Sequence, residues 1–147
     1  MQINTLARYG MRAVVRLAIL IENSDQLVSV KRIAEEENIS PKYLESIFAV
    51  LKRNNILAAV KGKGGGYKLA RPLNEITSLE IIETLGGRIG PVDCVINEHF
   101  CENDPGSCTV SPLWCDLNAL IRDFLRSRTL EDILIQYRKI GKTKSRE

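Results

Sequence analysis

The sequence predicts a mainly α fold with one small β-hairpin: a winged helix-turn-helix followed by a long C-terminal dimerisation helix. Three observations predict it. Two short amphipathic segments are separated by a break around Asn38, Ile39 and Ser40. Two strand-like runs flank a glycine-rich tip directly after them. A long apolar-striped segment then begins at Ser111-Pro112.

Taken in order, residues 5–22 carry Leu6, Ala13, Val14, Leu17, Ala18 and Ile21 at helical spacing. Arg8, Arg12 and Arg16 recur every fourth residue and form a basic stripe on that helix, which Asn23, Ser24 and Asp25 end. Ser29 caps a second helix over residues 30–38, with Ile33 and Ala34 turned inward and Glu35, Glu36 and Glu37 facing solvent. Ser40 then caps a third helix with Pro41 at its first position, running to about Asn54 and burying Leu44, Ile47, Phe48 and Leu51. Residues 56–60 and 67–70 read as strands around Lys61-Gly62-Lys63-Gly64-Gly65-Gly66. Thr77-Ser78-Leu79-Glu80 is a capping-box pattern opening a helix to about Leu85. Residues 88–110 have no helical period and read as a loop. The long helix from Ser111 carries Leu113, Leu117, Leu120, Ile121, Phe124 and Leu125. An amphipathic stretch follows from Thr129 to Ile140, and a polar tail from Gly141.

This divides the chain into residues 1–85, a DNA-binding module; 86–110, a cysteine-bearing loop; 111–140, the dimerisation and C-terminal helices; and 141–147, a flexible tail. Hydrophobic residues make up 44% and charged residues 27%, ordinary for a soluble domain. The apolar run at residues 13–21 is broken by Arg16 and is too short to cross a bilayer, so the expected location is the cytoplasm and no membrane partner is expected. The net charge of +3 hides an asymmetry: residues 1–72 hold 12 Lys/Arg against 6 Asp/Glu, and the remainder is acidic. A basic front half suits a polyanion.

On the third helix, Lys42, Tyr43, Glu45, Ser46, Ala49 and Lys52 face away from the core. Polar groups near a helix start suit base edges and phosphates in a major groove. The candidate DNA contacts on that helix are therefore Lys42, Tyr43, Glu45 and Ser46. Lys61 and Lys63 on the wing, and Arg8, Arg12 and Lys31, would contact the backbone. The glycine-rich tip lacks the GxxxxGK[ST] pattern and precedes a strand, which excludes a nucleotide P-loop.

Four cysteines, Cys94, Cys101, Cys108 and Cys115, stand seven residues apart and are the only ones in the chain. In a reducing compartment they are ligands or redox groups more often than disulfides. Structural zinc pairs its ligands two to four residues apart, and no such pair exists here. The wider gaps fit an iron–sulfur core, although they match neither common ferredoxin pattern. Buried free thiols, an oxidation switch and disulfides are the other readings. His99, the only histidine, lies among the cysteines.

Several motifs together resemble the Rrf2 family of bacterial winged-helix regulators, with its IscR, NsrR and CymR types. They are Arg8-Tyr9-Gly10, Ile33-Ala34-Glu35, Ile39-Ser40-Pro41-Lys42-Tyr43-Leu44-Glu45, and the wing from Val60 to Tyr67. The cysteine triplet, Leu113-Trp114 and Thr129-Leu130-Glu131-Asp132 complete the set. The resemblance implies a homodimer held by the long helix, a palindromic double-stranded operator and, in many members, a 2Fe–2S or 4Fe–4S cluster. It places the family cysteines at Cys94, Cys101 and Cys108, and the family's DNA contacts at Ser40, Lys42, Tyr43, Glu45 and Ser46, with a wing contact near Lys61. The histidine of IscR-type proteins falls on Ser111 here, and the aspartate of NsrR-type proteins on Arg8. Cys115, one helical turn beyond Ser111, is then the candidate fourth ligand, with His99 as the alternative and Asp93, Glu98, Glu102 and Asp104 as oxygen donors.

The expected function is a repressor whose operator affinity an iron–sulfur cluster controls, sensing iron–sulfur, redox or nitric oxide status. The alternatives are a cluster-free, thiol-based or partner-controlled regulator of the CymR type, or a small redox protein. No catalytic acid–base constellation or nucleotide fingerprint points to an enzyme.

Overall fold

The structure, a computed structural model, describes residues 1–22, 27–97 and 108–144. Seven helices and one antiparallel hairpin are found among them. Helix α1 (Thr5–Glu22) starts where the Asn4 side-chain oxygen accepts from the Ala7 amide at 2.8 Å. Its Ala13, Val14, Leu17 and Ala18 are buried, as their helical spacing predicts. Helix α2 (Val30–Glu37) is capped by Ser29, which accepts from the Arg32 amide at 3.2 Å. It ends at Asn38 in the left-handed conformation, φ 54°, which asparagine tolerates better than most residues.

Helix α3 (Pro41–Arg53) is capped by Ser40, whose hydroxyl accepts from the Tyr43 amide. Leu44, Ile47, Phe48 and Leu51 are fully buried. Losing the cap would cost about 1 kcal/mol.

Strands β1 (Leu57–Val60) and β2 (Gly66–Leu69) pair with Leu57 opposite Leu69 and Val60 opposite Gly66. Val28 adds a third strand position, exchanging backbone hydrogen bonds with Tyr67 at 3.1 and 2.7 Å. Only glycine fits at position 66, because a Cβ there would lie 2.7 Å from the Val28 carbonyl oxygen. The Phe48 and Tyr67 rings meet edge-on, 4.9 Å between centroids, and lock the wing to α3.

Helix α4 (Ser78–Gly86) is capped by Thr77, which accepts from the Glu80 amide at 3.2 Å. The reciprocal half of the expected capping box is replaced: the Glu80 carboxylate pairs with Arg71. The segment read as an unbroken loop contains one helical turn, α5 (Asp93–Ile96), which packs on the long helix α6 (Ser111–Ser127). So short a turn carries no sequence period and owes its shape to that packing.

Helix α7 (Leu130–Lys144) continues through Gly141, where a polar tail was expected to begin. It returns to the N-terminal module. Leu130, 0% exposed, belongs to the same core as α1 and α4, and Leu134 is buried too. The Arg128 carbonyl accepts from the Ser78 amide and hydroxyl at 2.7 and 2.9 Å, and the Leu130 amide donates to the Ile76 carbonyl at 3.0 Å.

A complete capping box starts α7. The Asp132 carboxylate accepts from the Thr129 amide at 2.9 Å, and the Thr129 hydroxyl accepts from the Asp132 amide at 3.2 Å. The bond from the Thr129 backbone, then the one from its side chain, pulls the Asp132 pKa below its ordinary 3.8. A depressed acid contributes stability above its unfolded pKa and loses it as pH falls through the lower folded value. Asp132→Asn should therefore melt below wild type near pH 6. The gap should narrow as pH falls past 3.8 and close in stronger acid, which thermal melts across pH will show.

Candidate nucleic-acid interface and cysteine segment

The exposed row of α3 is Lys42, Glu45, Ser46, Ala49 and Lys52, as its apolar positions predict. Two hydroxyls of the expected contact set have structural partners. Ser40 caps the helix, and the Ser46 hydroxyl donates to the Tyr43 carbonyl at 2.6 Å. Tyr43 is half-buried, its ring edge-on to Tyr9 with 6.0 Å between centroids. That contact sets the first turn of α3 beside the start of α1, where Arg8 is exposed.

Arg8, Lys31, Lys42, Lys61 and Lys63 are all exposed, and none forms an ion pair with a described residue. The wing lysines stand at the hairpin tip, where the Gly65 amide donates to the Gly62 carbonyl at 3.0 Å. These cations are free to meet phosphates.

Two expectations are corrected nearby. Glu37 does not face solvent; its side chain is 10% exposed. It bridges Arg12 and Arg16 of α1, at 3.1 and 2.7 Å, and the Glu37 carbonyl accepts from Arg12 at 2.7 Å. The hydrogen bond from Arg16 to Glu37 raises the arginine's pKa against the effect of burial. The basic stripe on α1 is thus reduced to Arg8, with Arg12 also lying 5.4 Å over the Tyr9 ring. Arg12 serves the α1–α2 joint rather than standing as a free phosphate contact. Nothing in local spacing marks Glu37 apart from Glu35 and Glu36; its partners lie more than twenty residues away.

The cysteine segment leaves α4 through Gly87, φ 75°. Cys94 sits half-buried on α5, Cys108 half-buried before α6, and Cys115 exposed on the second turn of α6. All three are free thiols. The Cys108 carbonyl accepts from the Ser111 amide at 3.3 Å, which ties this cysteine to the helix start. Cys101, His99, Glu98, Glu102 and Asp104 lie outside the described residues, which by themselves contain no group of three metal-ligating side chains. What the structure does bring together is α5 with α6, and so the elements bearing Cys94 and Cys115.

Helix α6 has two apolar faces. Ile121 and Leu125 pack on the core, and the Arg122 guanidinium pairs with Glu83 of α4. Leu113, Leu117, Leu120 and Phe124 stay 58, 37, 69 and 57% exposed. Their spacing of four, three and four residues makes one continuous seam. Beside it Met1, Ile3 and Ile89 join Leu120 and Phe124 in an apolar hollow of about 360 Å³.

A winged helix with free cations on the reading helix and wing tip, followed by a cysteine segment and an apolar-seamed helix, is the architecture of one known family. Residues 3–136 match its model, described as the Rrf2 iron-dependent transcriptional regulator. The chain belongs to the Rrf2 family. It is a transcriptional regulator and not an enzyme. It is 33% identical over 135 residues to the HTH-type transcriptional regulator IscR of Cereibacter sphaeroides, covering 91% of this chain and 87% of that one.

Two solved Rrf2-type structures superpose closely. The global cysteine regulator CymR of B. subtilis gives a TM-score of 0.74 at 30% identity, covering 90% of this chain and 95% of that one. T. potens IscR also gives 0.74 at 30% identity, covering 93% of this chain and 88% of that one. No helix among the described residues is long and apolar enough to cross a membrane.

Proposed function

We propose that this Rrf2 regulator is a cytoplasmic repressor that binds a palindromic double-stranded operator as a homodimer. Its affinity is set by a 2Fe–2S or 4Fe–4S cluster on Cys94, Cys101 and Cys108, with Cys115 as fourth ligand and His99 as the alternative. One observation carries the reading: the chain's only cysteines, evenly spaced, run from the turn packed on α6 into α6 itself, and the three described ones are free thiols. Soft thiolates select such clusters, and the likeness to IscR proteins supports the choice. Held by these cysteines, a cluster would supply redox- and iron-responsive chemistry to the segment carrying Cys94 and Cys108 and to the start of α6 carrying Cys115.

The likeness to CymR favours a second reading, in which thiols or a partner protein set the state without a cluster.

Protein purified without oxygen and supplied with iron and sulfide should be brown, with matching iron and sulfide content. Colourless, iron-free protein under those conditions would select the second reading.

The DNA contacts separate by chemistry. Lys61→Ala should weaken binding to every sequence and reduce the salt slope by about one ion. Glu45→Ala should instead relax discrimination at one base position, since a carboxylate accepts from a cytosine amine. Titrations at two salt concentrations against operator and point-mutant operators distinguish them.

A further inference from the structure

Resting on the operator-binding reading above, we propose that Arg12 is a positioning residue for the reading helix: it ties the end of α2 and the first turn of α3 to one point on α1. Only Asn38, Ile39 and Ser40 join those two helices. A hold on both ends of so short a turn sets the pose of α3.

The Arg12 Nε donates to the Glu37 carboxylate at 3.1 Å, and a terminal nitrogen donates to the Glu37 carbonyl at 2.7 Å. That carbonyl lies in the last turn of α2, where a helix has no amide of its own to offer. Arg16, one turn further along α1, donates to the other carboxylate oxygen at 2.7 Å. Glu37 is thereby held by two guanidinium groups. The same Arg12 guanidinium lies over the Tyr9 ring, and Tyr9 meets the Tyr43 ring of α3 edge-on. The Tyr43 amide is in turn held by Ser40. Lys42, Glu45 and Ser46 stand on this turn and the next, so their aim at base edges depends on it. A guanidinium suits the task, because its planar fork serves carboxylate, carbonyl and ring face together, whereas an ammonium is a point donor. Positioning and phosphate contact give opposite results when Glu37 loses its charge.

The test uses the full-length dimer in one cluster state and an operator selected from random duplex DNA. Binding to that operator and to an unrelated duplex is titrated at two salt concentrations, below every melting temperature read by circular dichroism. Glu37→Gln removes a negative charge beside Arg12. Were Arg12 a phosphate contact, its release would tighten binding to both duplexes. Positioning predicts that the ratio of operator to unrelated affinity falls by about fivefold or more, the scale of one misplaced base contact. Arg12→Lys keeps the charge but not the fork, so the ratio should fall there too while the salt slope stays that of wild type. The double variant should lose no more than the worse single variant, because both act at one joint. Wild-type ratios in both single variants would overturn the role of Arg12, as would losses that multiply in the double variant. Equal weakening on both duplexes in Arg12→Lys, with a shallower salt slope, would make Arg12 a phosphate contact instead. A wild type with no preferred sequence would remove the operator-binding reading, and this role with it.

Discussion

Leu120→Asp and Phe124→Asp should each give a folded monomer that no longer holds the proposed operator. Both side chains project from the core, at 69 and 57% exposure, so the substitutions leave the packing of Ile121, Leu125 and the winged-helix core in place. In a two-fold dimer one substitution acts twice, because the same patch serves both copies. Each change removes an apolar side chain worth about 1.5–3 kcal/mol when buried. It also places an unpaired carboxylate in a closed apolar seam, a larger penalty still. With the dimer gone, the two recognition helices no longer act as one ligand. Operator affinity should fall by about a hundredfold or more, the usual gain from linking two modules. Sedimentation with a circular-dichroism check on folding reads the result. Dimers in both variants would contradict the assignment of the seam.

Cys94→Ala, Cys101→Ala and Cys108→Ala should each abolish retention of the cluster. Each thiolate removed takes one bond from a site for which the described residues offer no further soft donor. Cys115→Ala should have a comparable effect, and His99→Ala should leave iron content unchanged. Cys115 is preferred because it is exposed on a helix that packs against the turn bearing Cys94. Iron and sulfide analysis with visible spectra of the five variants decides. A normal cluster in Cys115→Ala together with its loss in His99→Ala would reverse the choice of fourth ligand.

The winged helix was legible in the sequence wherever a local rule governs. Ser29, Ser40 and Thr77 cap the helices they precede, and Gly65 and Gly66 of the wing sit where a Cβ would strike backbone. Misreadings fall where a distant partner decides. Glu37 looks like its neighbours until α1 folds across it and offers Arg12 and Arg16. Glu80 completes a capping-box pattern on paper, yet a guanidinium is a stronger partner for its carboxylate than the Thr77 amide. The turn at Asp93–Ile96 is too short for a hydrophobic period and exists because α6 supports it.

The candidate site was legible in a different way. The cation positions follow from helix and hairpin geometry, so Lys42, Lys61 and Lys63 are exposed as expected. Tyr43 was harder to place, because its contact with Tyr9 comes from a helix more than thirty residues earlier. The exposure of Leu120 and Phe124 against the burial of Leu130 separates two helices that the apolar pattern alone treats alike.

The most direct measurement is the operator affinity of the same dimer preparation with its cluster and after the cluster is removed without oxygen. If the cysteine segment governs α6, and α6 sets the spacing of the recognition helices, the two affinities differ by several-fold to about a hundredfold. Equal affinities for the two forms, with both confirmed dimeric, would contradict the account.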